Sequence, residues 1–389
     1  MKRIAFALLF AAGPALADSE ETEAVVEPAE SPEPPKPLTF GGYVEAYYGW
    51  NFAEPQTGLN NFRGFDNRHN SFTLSNVALD ARYDKDDVTG RLTLQVGHTP
   101  STYYSAEPKQ AGASGANASD ADLWKYVQQA HVGYRLNAVS EGFLLSAGVF
   151  LSPIGPESMV VHDNWNWSRS NLFYGLPFYH MGARASLPLS ERWTAMAAVY
   201  NGWNSVVDNN DGKSVSLQFV YEEPQSFSAT LQYFAGNERV RGAIEGPAWR
   251  HMIDAYATWT VSNRVSLLSH GNAGFEPNRI GTSWWAAGAQ SVRVELSRTL
   301  YASLREDLFY EHTAFGDLGV ARPIFWPSEW VASGTATLDF RPKGQMSFML
   351  EYRHDVAASS RFFAANDAPL GAATARTQDT LTAGATAWF

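Results

Sequence analysis

Cysteine is absent from the 389 residues. That excludes disulfide frameworks, cysteine nucleophiles and thiolate metal sites. Charge is scarce: Asp, Glu, Lys and Arg make up 18% of the chain, and the formal net charge is −11. Without a basic surplus the chain lacks the electrostatic footprint that holds nucleic acid. After the N-terminal segment no apolar run reaches the ~18 residues of a membrane-spanning helix. The G-x-S-x-G, H-E-x-x-H, phosphate-loop and dinucleotide-binding signatures are missing, and no fixed repeat announces a propeller or solenoid. Histidines are scattered singly, apart from His69 beside Arg68. No cofactor or metal site is expected, and the chain is read as not an enzyme.

What is present begins with a leader. Met1-Lys2-Arg3 precedes an apolar stretch from Ile4 to Ala12, Gly13-Pro14 and Ala15-Leu16-Ala17. A basic start, a short apolar core and an A-x-A site predict a secretory signal peptide over residues 1–17. Residues 18–37 carry seven acidic residues, one Lys and five prolines. That composition cannot build a core, so a disordered, acidic, Pro-rich spacer is expected there. The leader contributes +2 and the spacer −6, which leaves −7 over residues 38–389.

Aromatic residues make up 14% of the chain and there are 31 glycines, a composition that fits β structure with apolar surface outside as well as in. The recurring local pattern is period-2 alternation. In 345–355, Met346, Phe348, Leu350 and Tyr352 alternate with Ser347, Glu351, Arg353 and Asp355; in 213–221, Val215, Leu217, Phe219 and Tyr221 alternate with Ser214, Ser216 and Gln218. Carried through, the pattern predicts about sixteen strands. They lie near 38–52, 70–83, 88–97, 124–136, 142–151, 177–189, 192–203, 213–221, 226–236, 250–260, 264–272, 284–296, 300–309, 329–340, 345–355 and 377–389. Every second connection is short. The others are long: 53–69, 98–123, 152–176, 204–212, 237–249, 273–283, 310–328 and 356–376. One face of the strands is apolar and the other carries Arg, Asp, Glu, His and Ser, the inverse of a soluble barrel. The fold class read from this is all-β: a transmembrane antiparallel up-and-down barrel over residues 38–389, with short periplasmic turns and long external loops. A barrel of this size encloses a water-filled lumen.

The C-terminal run Leu381-Thr-Ala-Gly-Ala-Thr-Ala-Trp-Phe389 resembles the terminal strand of bacterial outer-membrane proteins, which their barrel-assembly machinery reads through the last aromatic residue. Residues 38–389 as a whole resemble the OmpL-like β-barrel porin family. The resemblance is carried by Asp163-Asn-Trp-Asn-Trp-Ser-Arg-Ser170 with Pro177, His180 and Gly182. Asn201-Gly202-Trp203, the run Asp208 to Lys213, Gly42-Tyr43-Val44-Glu45, Leu304-Arg305-Glu306-Asp307 and Glu351-Tyr352-Arg353-His354-Asp355 add to it. The resemblance implies a pore in the outer membrane of a Gram-negative cell. There it would meet outer-membrane lipid, lipopolysaccharide and small hydrophilic solutes. A homotrimer is the expectation by analogy with general porins.

In that frame, loop 152–176 is the third external loop. By analogy with general porins it folds into the lumen, where His162, Asp163 and Arg169 are the candidates for the constriction. The other reading is that Trp165, Trp167, Phe173 and Tyr174 pin the loop, with Arg169 and Asp163 as its internal ion pair. Arg82, Arg135, His180, Arg184, Arg293, Arg305, Asp307, Glu351, Arg353 and Asp355 are expected on inner faces, as pore lining or as cross-strand pairs. Tyr43, Tyr47, Tyr48, Trp50, Tyr83, Tyr134, Trp193, Tyr221, Trp259, Tyr352 and Trp388 are girdle candidates where they face outward, since little apolar core is expected in such a lumen. Asp208-Asn-Asn-Asp211 is read as a turn rather than a calcium site. His131 and His180 fall on lumen faces, so a lipid-facing hydrolase finds no support, and residues 18–37 cannot supply a transporter plug.

The expected function is passive diffusion through a lumen narrowed by loop 152–176. The alternative is a non-conducting structural or surface-binding barrel with that loop as a plug.

Overall fold

Alternating side chains can bury their polar faces against each other without a layer above them if the sheet closes on itself, and this sheet does. The computed structural model describes residues 36–109, 119–210, 212–327, 329–367 and 371–389. The signal peptide and almost all of the acidic spacer lie outside the described residues.

The strands are β1 (Leu38–Asn51), β2 (Ser71–Lys85), β3 (Val88–Val96), β4 (Val127–Arg135), β5 (Leu144–Leu151), β6 (Tyr179–Pro188), β7 (Trp193–Tyr200), β8 (Ser214–Glu223) and β9 (Phe227–Asn237). They continue as β10 (Trp249–Ser262), β11 (Val265–Pro277), β12 (Thr282–Ser297), β13 (Leu300–His312), the two-residue β14 (Phe315–Gly316) and β15 (Gly319–Val320), then β16 (Trp330–Lys343), β17 (Met346–Ala357) and β18 (Thr377–Trp388). β14 and β15 form a hairpin of their own; the other sixteen make one closed antiparallel barrel in chain order. Closure pairs β1 with β18, Tyr43 opposite Trp388. Phe389 exchanges backbone hydrogen bonds with Gly42, at 3.1 and 3.2 Å. No helix among the described residues is long and apolar enough to cross a membrane; the strands cross it.

Sidedness follows the alternation. Leu79, Leu92, Leu94, Val132, Leu217, Leu231, Leu304 and Leu350 are exposed, while Glu45, Asn76, Gln232, Asp254, Arg305 and Glu351 on the opposite face are buried. Tyr83, Tyr134, Trp193, Trp259 and Tyr352 are exposed among the outward residues, as a girdle requires. Tyr43 and Tyr47 are corrections to that group. Both point inward and are buried. The Tyr43 hydroxyl accepts from Asn76 Nδ2 at 2.9 Å and from Gln128, and the Tyr47 hydroxyl accepts from the Arg68 amide at 3.2 Å. Trp388 also turns inward, stacking on His162.

One expected long loop is not there. Most of 273–283 continues the ladder instead, Phe275 against Trp284 and Gly274 against Trp285, so β11 and β12 meet through residues 278–281 alone. Gly274 makes the extension possible: a Cβ there would lie 2.3 Å from the Trp285 ring.

The interior is less empty than the sequence suggests. Toward the loop end, Phe150, Tyr200, Phe234, Met252, Trp285, Phe309 and Val331 form one apolar cluster with Ile154, Leu176, Trp326 and Phe362 from the long loops. Phe62, Tyr174 and Phe325 pack against it. A polar inner face can still carry an apolar core where loops fold back and bring their own aromatic residues to cover it.

Candidate functional site

Loop 152–178 leaves the barrel wall between β5 and β6 and reaches the far side. Its backbone is held there by inward carboxylates, because the N–H groups of a buried loop need acceptors and water is excluded. The Val161 amide donates to Glu45 Oε1 of β1 at 2.6 Å. The Trp167 and Ser168 amides donate to the two oxygens of Glu351 on β17, at 2.6 and 3.0 Å. Asn171 donates to Asp307 Oδ1 of β13 through its backbone at 3.1 Å and its side chain at 2.7 Å. Nearer its start, the Gly155 amide donates to Asp254 Oδ1 of β10 at 3.2 Å. Trp167 fits over Gly384 of β18, where a Cβ would lie 2.2 Å from the ring.

Arginines fix the same loop. Arg305 donates to Glu157 Oε1 at 2.8 Å and to the Ser168 carbonyl at 2.7 Å. Arg353, wholly buried, pairs with Asp355 at 2.7 Å and donates to the Arg169 carbonyl and Ser168 Oγ. Arg63 of the first loop joins from the other side, pairing with Asp355 at 3.1 Å and with Asp66. Burial alone would raise the Asp66 pKa, but the charge and hydrogen bond of Arg63, with the charges of Arg353 and Arg169, together outweigh it and hold the carboxyl below its ordinary value.

Thus Arg305, Asp307, Glu351, Arg353 and Asp355 all lie on inner faces, and each gives hydrogen bonds or an ion pair to the loops folded inside. Arg169 is a clear correction. Its side chain is 2% exposed, donating to the carbonyls of Ser158 and Trp167 at 3.1 and 2.8 Å and to that of Met159. It also lies over the Phe65 ring at 5.2 Å. It neither lines the passage nor pairs with Asp163. A guanidinium presents five donors in a plane, and the turning backbone offers it carbonyls on several sides. His180 is likewise buried, bonded to the Gly202 carbonyl at 3.0 Å and to Ser152 Oγ at 3.2 Å, and stacked on Tyr200.

Asp163 does face open space, with its side chain 55% exposed. It accepts from Ser158 Oγ at 3.2 Å and lies 3.4 Å from His162 Nε2. His162 stacks on Trp388 with centroids 4.4 Å apart. Desolvation lowers its pKa below the usual value, against the pull of Asp163. Beside Asp163 lies a cavity of about 250 Å³. The loop lines it with Glu157, Asp163, Asn164, Trp165 and Asn166; the wall lines it with Tyr256, Thr258, His270, Ser291 and Arg305. These wall residues, apart from Arg305, were not singled out from sequence. Inward polar positions are too common along sixteen strands for alternation to mark the few opposite the loop tip. His270 is oriented by Asp254, Nε2 to Oδ2 2.7 Å.

Of the remaining candidates, Arg82, Arg135 and Arg293 sit toward the turn end, and Arg184 at mid-strand opposite Ser146 and Ala198. Arg82 and Arg91 both pair with Asp80, at 2.6 and 2.8 Å. Arg184 lies over the Phe150 ring at 4.1 Å. Arg293 pairs with Asp339 at 3.0 Å. Arg135 pairs with Asp84 at 2.6 Å at the exposed rim. In the fourth loop Asp208 Oδ1 accepts from the Asn210 amide at 2.9 Å, and Asn210 Oδ1 from the Gly212 amide at 2.7 Å. That is the geometry of successive Asx turns.

Comparison with solved structures finds the same architecture. The anion-selective porin from Comamonas acidovorans aligns with TM-score 0.58 at 12% identity, covering 90% of this chain and 99% of that one. The outer-membrane channel DcaP of Acinetobacter baumannii aligns with TM-score 0.54 at 11% identity, covering 90% and 97%. OmpT of Vibrio cholerae in its trimer form aligns with TM-score 0.56 at 10% identity, covering 90% and 99%. Identities this low speak for the fold alone. No curated protein matches the sequence. Residues 37–389 match the family described as "Putative beta-barrel porin-2, OmpL-like", and the chain belongs to that family of outer-membrane porins.

Proposed function

We propose that the barrel passes small hydrophilic solutes or ions by diffusion, with loop 152–178 as its constriction. One observation carries this reading. The loop crosses the lumen and is bolted to β1, β13 and β17, and the space left beside it is lined by Asp163, Asn166, Thr258, His270 and Ser291. A polar, sterically defined gap on a rigid support filters by size and by charge at close range. The reading is of a pore and not an enzyme, working in the outer membrane of a Gram-negative cell. The structure of Vibrio cholerae OmpT in a trimer form supports expecting assembly of this chain too. Outer-membrane lipid, lipopolysaccharide and the barrel-assembly machinery, the last through Phe389, are the partners proposed.

A second reading has its own observation. The aromatic cluster that loops one, three, seven and eight build inside the outer half favours a closed or very narrow barrel. Planar-bilayer recording of the purified, folded protein decides between them. Discrete conductance steps are expected; a folded barrel that inserts yet passes no current would overturn the porin reading and leave the plug.

A further inference from the structure

The arginines of the barrel strands are matched with carboxylates, with one exception. Arg82 and Arg91 pair with Asp80, Arg135 with Asp84 and Arg250 with Glu276, and those on β12, β13, β16 and β17 are paired too. Arg184 of β6 is not. It is half-buried, yet among the described residues its guanidinium has no ion pair and no hydrogen bond. An unpaired charge in a partly dry wall is costly to hold, so its surroundings matter.

Arg184 lies over the Phe150 ring at 4.1 Å, and the His131 ring packs on the same phenyl with centroids 4.8 Å apart. The inner-face positions between them carry no side chain: His131 pairs with Gly148, and Gly148 with Gly182, two residues before Arg184. Ser146 is the register partner of Arg184, and among the described residues its hydroxyl has no protein partner. His131 makes no hydrogen bond within that set either, and its Nδ1 is buried. On the other side His131 stands opposite Arg91, and Arg91 opposite Arg82. Arg82, Arg91 and Arg184 thus share one stretch of wall with a single carboxylate, Asp80, which leaves two positive charges in excess. The next carboxylate toward the rim, Asp84, is taken up by Arg135.

What answers such a wall is an anion from solution. A guanidinium presents its N–H donors in a planar fork that fits two oxygens of one group. Guanidinium forks, a hydroxyl and an imidazole around one opening suit a compact anion with oxygens on several sides. A carboxylate offers its oxygens in one plane. A tetrahedral oxyanion offers them in every direction and, as a dianion, matches the excess charge. Chloride offers no directed acceptor at all.

We propose that Arg184, Ser146, His131 and Arg91 form a binding station for a small dianionic oxyanion of the phosphate class on the β3–β6 wall. Arg184 supplies the unspent fork, Ser146 a hydroxyl donor and His131 a ring N–H. Arg91, with Arg82 behind it, supplies the field that draws the anion in. A bound dianion cancels the local excess, so an occupied station leaves ionic selectivity weak while it slows the solute that fills it. The station deepens the reading of the lumen as a solute passage and rests on the turn side of the lumen being wet. It does not require current to pass the third loop.

Calorimetric titration of the purified barrel in micelles tests this, with inorganic phosphate, sulfate and chloride at constant ionic strength and a mildly alkaline pH that keeps phosphate a dianion. Phosphate and sulfate should each fill one saturable site, at least about tenfold more tightly than chloride. Arg184→Gln should weaken phosphate binding about tenfold or more, and Arg184→Lys, which keeps the charge and loses the fork, should fall between. Arg293→Gln removes the same charge from an arginine already paired with Asp339 and should leave the affinity unchanged. Arg184→Gln strands no carboxylate, so the barrel still folds, and heat-modifiable migration verifies that. No saturable phosphate binding by wild type, an unchanged affinity in Arg184→Gln, or an equal loss in Arg293→Gln would overturn the station. In planar bilayers, phosphate added to potassium chloride should reduce the wild-type current and spare that of Arg184→Gln. Phosphate binding by a barrel that passes no current keeps the station and sinks the porin reading; current without phosphate binding does the reverse.

Discussion

Asp163 and Arg169 are six residues apart in the most family-specific stretch of the chain, yet they do different work. Asp163 borders water and Arg169 is enclosed by carbonyl oxygens. Their alanine variants should therefore part company. A unit charge about 4 Å from an ion in water is worth about 1 kcal/mol, several-fold in local ion concentration. Asp163→Ala should thus move the reversal potential in a salt gradient toward anion preference. Arg169→Ala should leave the reversal potential nearly unchanged and instead weaken the fold by about 3 kcal/mol or more, since several buried carbonyls lose their donor. Equal shifts of potential in both variants would contradict the assignment. His162 adds a pH dependence. Its folded pKa is depressed from 6.5, chiefly by desolvation. The unfolded imidazole therefore takes up a proton first as pH falls. The stability contributed by neutral His162 is present in full above the unfolded value and declines as pH drops below about 6.5 toward the lower folded value, where the folded imidazole itself takes up a proton. Unfolding free energy should therefore fall across that window, conductance or loop order should change only as pH passes the depressed folded value, and His162→Phe should flatten both responses.

The third loop is the element on which conduction turns. It is rigid because opposite charges from the wall meet its backbone at several points, which loops on a surface do not enjoy. Glu351→Ala removes the acceptor for two buried amides and for the Thr337 hydroxyl. A loss of about 3–5 kcal/mol is expected for breaking such a buried network, read by denaturant unfolding in micelles. Gly384→Ala approaches the loop from the opposite side. Its Cβ would stand 2.2 Å from Trp167, and overpacking of this kind costs roughly 1–3 kcal/mol. The variant should show noisier, larger conductance as the indole leaves its seat. Deleting 156–172 should raise conductance outright; an unchanged value would show that current never passed the loop.

For the molecule as a whole, lumen charges of both signs stand in clusters that offset one another only in sum. Arg82 and Arg91 share Asp80, and Arg293 and Arg341 share Asp339, each with one positive charge in excess; Arg63 and Arg353 are matched by Asp66 and Asp355; Arg305 stands between Glu157 and Asp307, with one negative charge in excess. Selectivity should accordingly be weak in wild type, with the intact lumen slightly cation-preferring through Asp163. A strongly anion-selective wild-type pore would mean that Arg184 at mid-strand, with Arg91 and Arg82 nearer the turns, dominates the field instead. The β1–β18 ladder closes the barrel and the Phe389–Gly42 exchange is its last step, so removing Phe389 should lower the yield of heat-modifiable, folded barrel more than it lowers the stability of what folds.

Alternation with a period of two is a local property, written in adjacent residues. It determined the sixteen strands, their facing and their turns, because each side chain's face follows from its neighbour's. The same logic placed Arg305, Asp307, Glu351, Arg353 and Asp355 inside. The family-specific run from Asp163 to Ser170 pointed to the loop that matters. Only the tertiary structure decided what those inward charges touch. Glu351 meets the amides of Trp167 and Ser168 across 184 and 183 residues of chain, and no periodicity encodes such a meeting. Nor could it show that 273–283 stays in the sheet, which depends on Trp285 finding room over Gly274 on the next strand. Whether Arg169 faced water or carbonyls turned on how the loop coils. A chain's pattern sets which way a side chain points; what stands there to meet it is set by the closure of the barrel and the path of its loops.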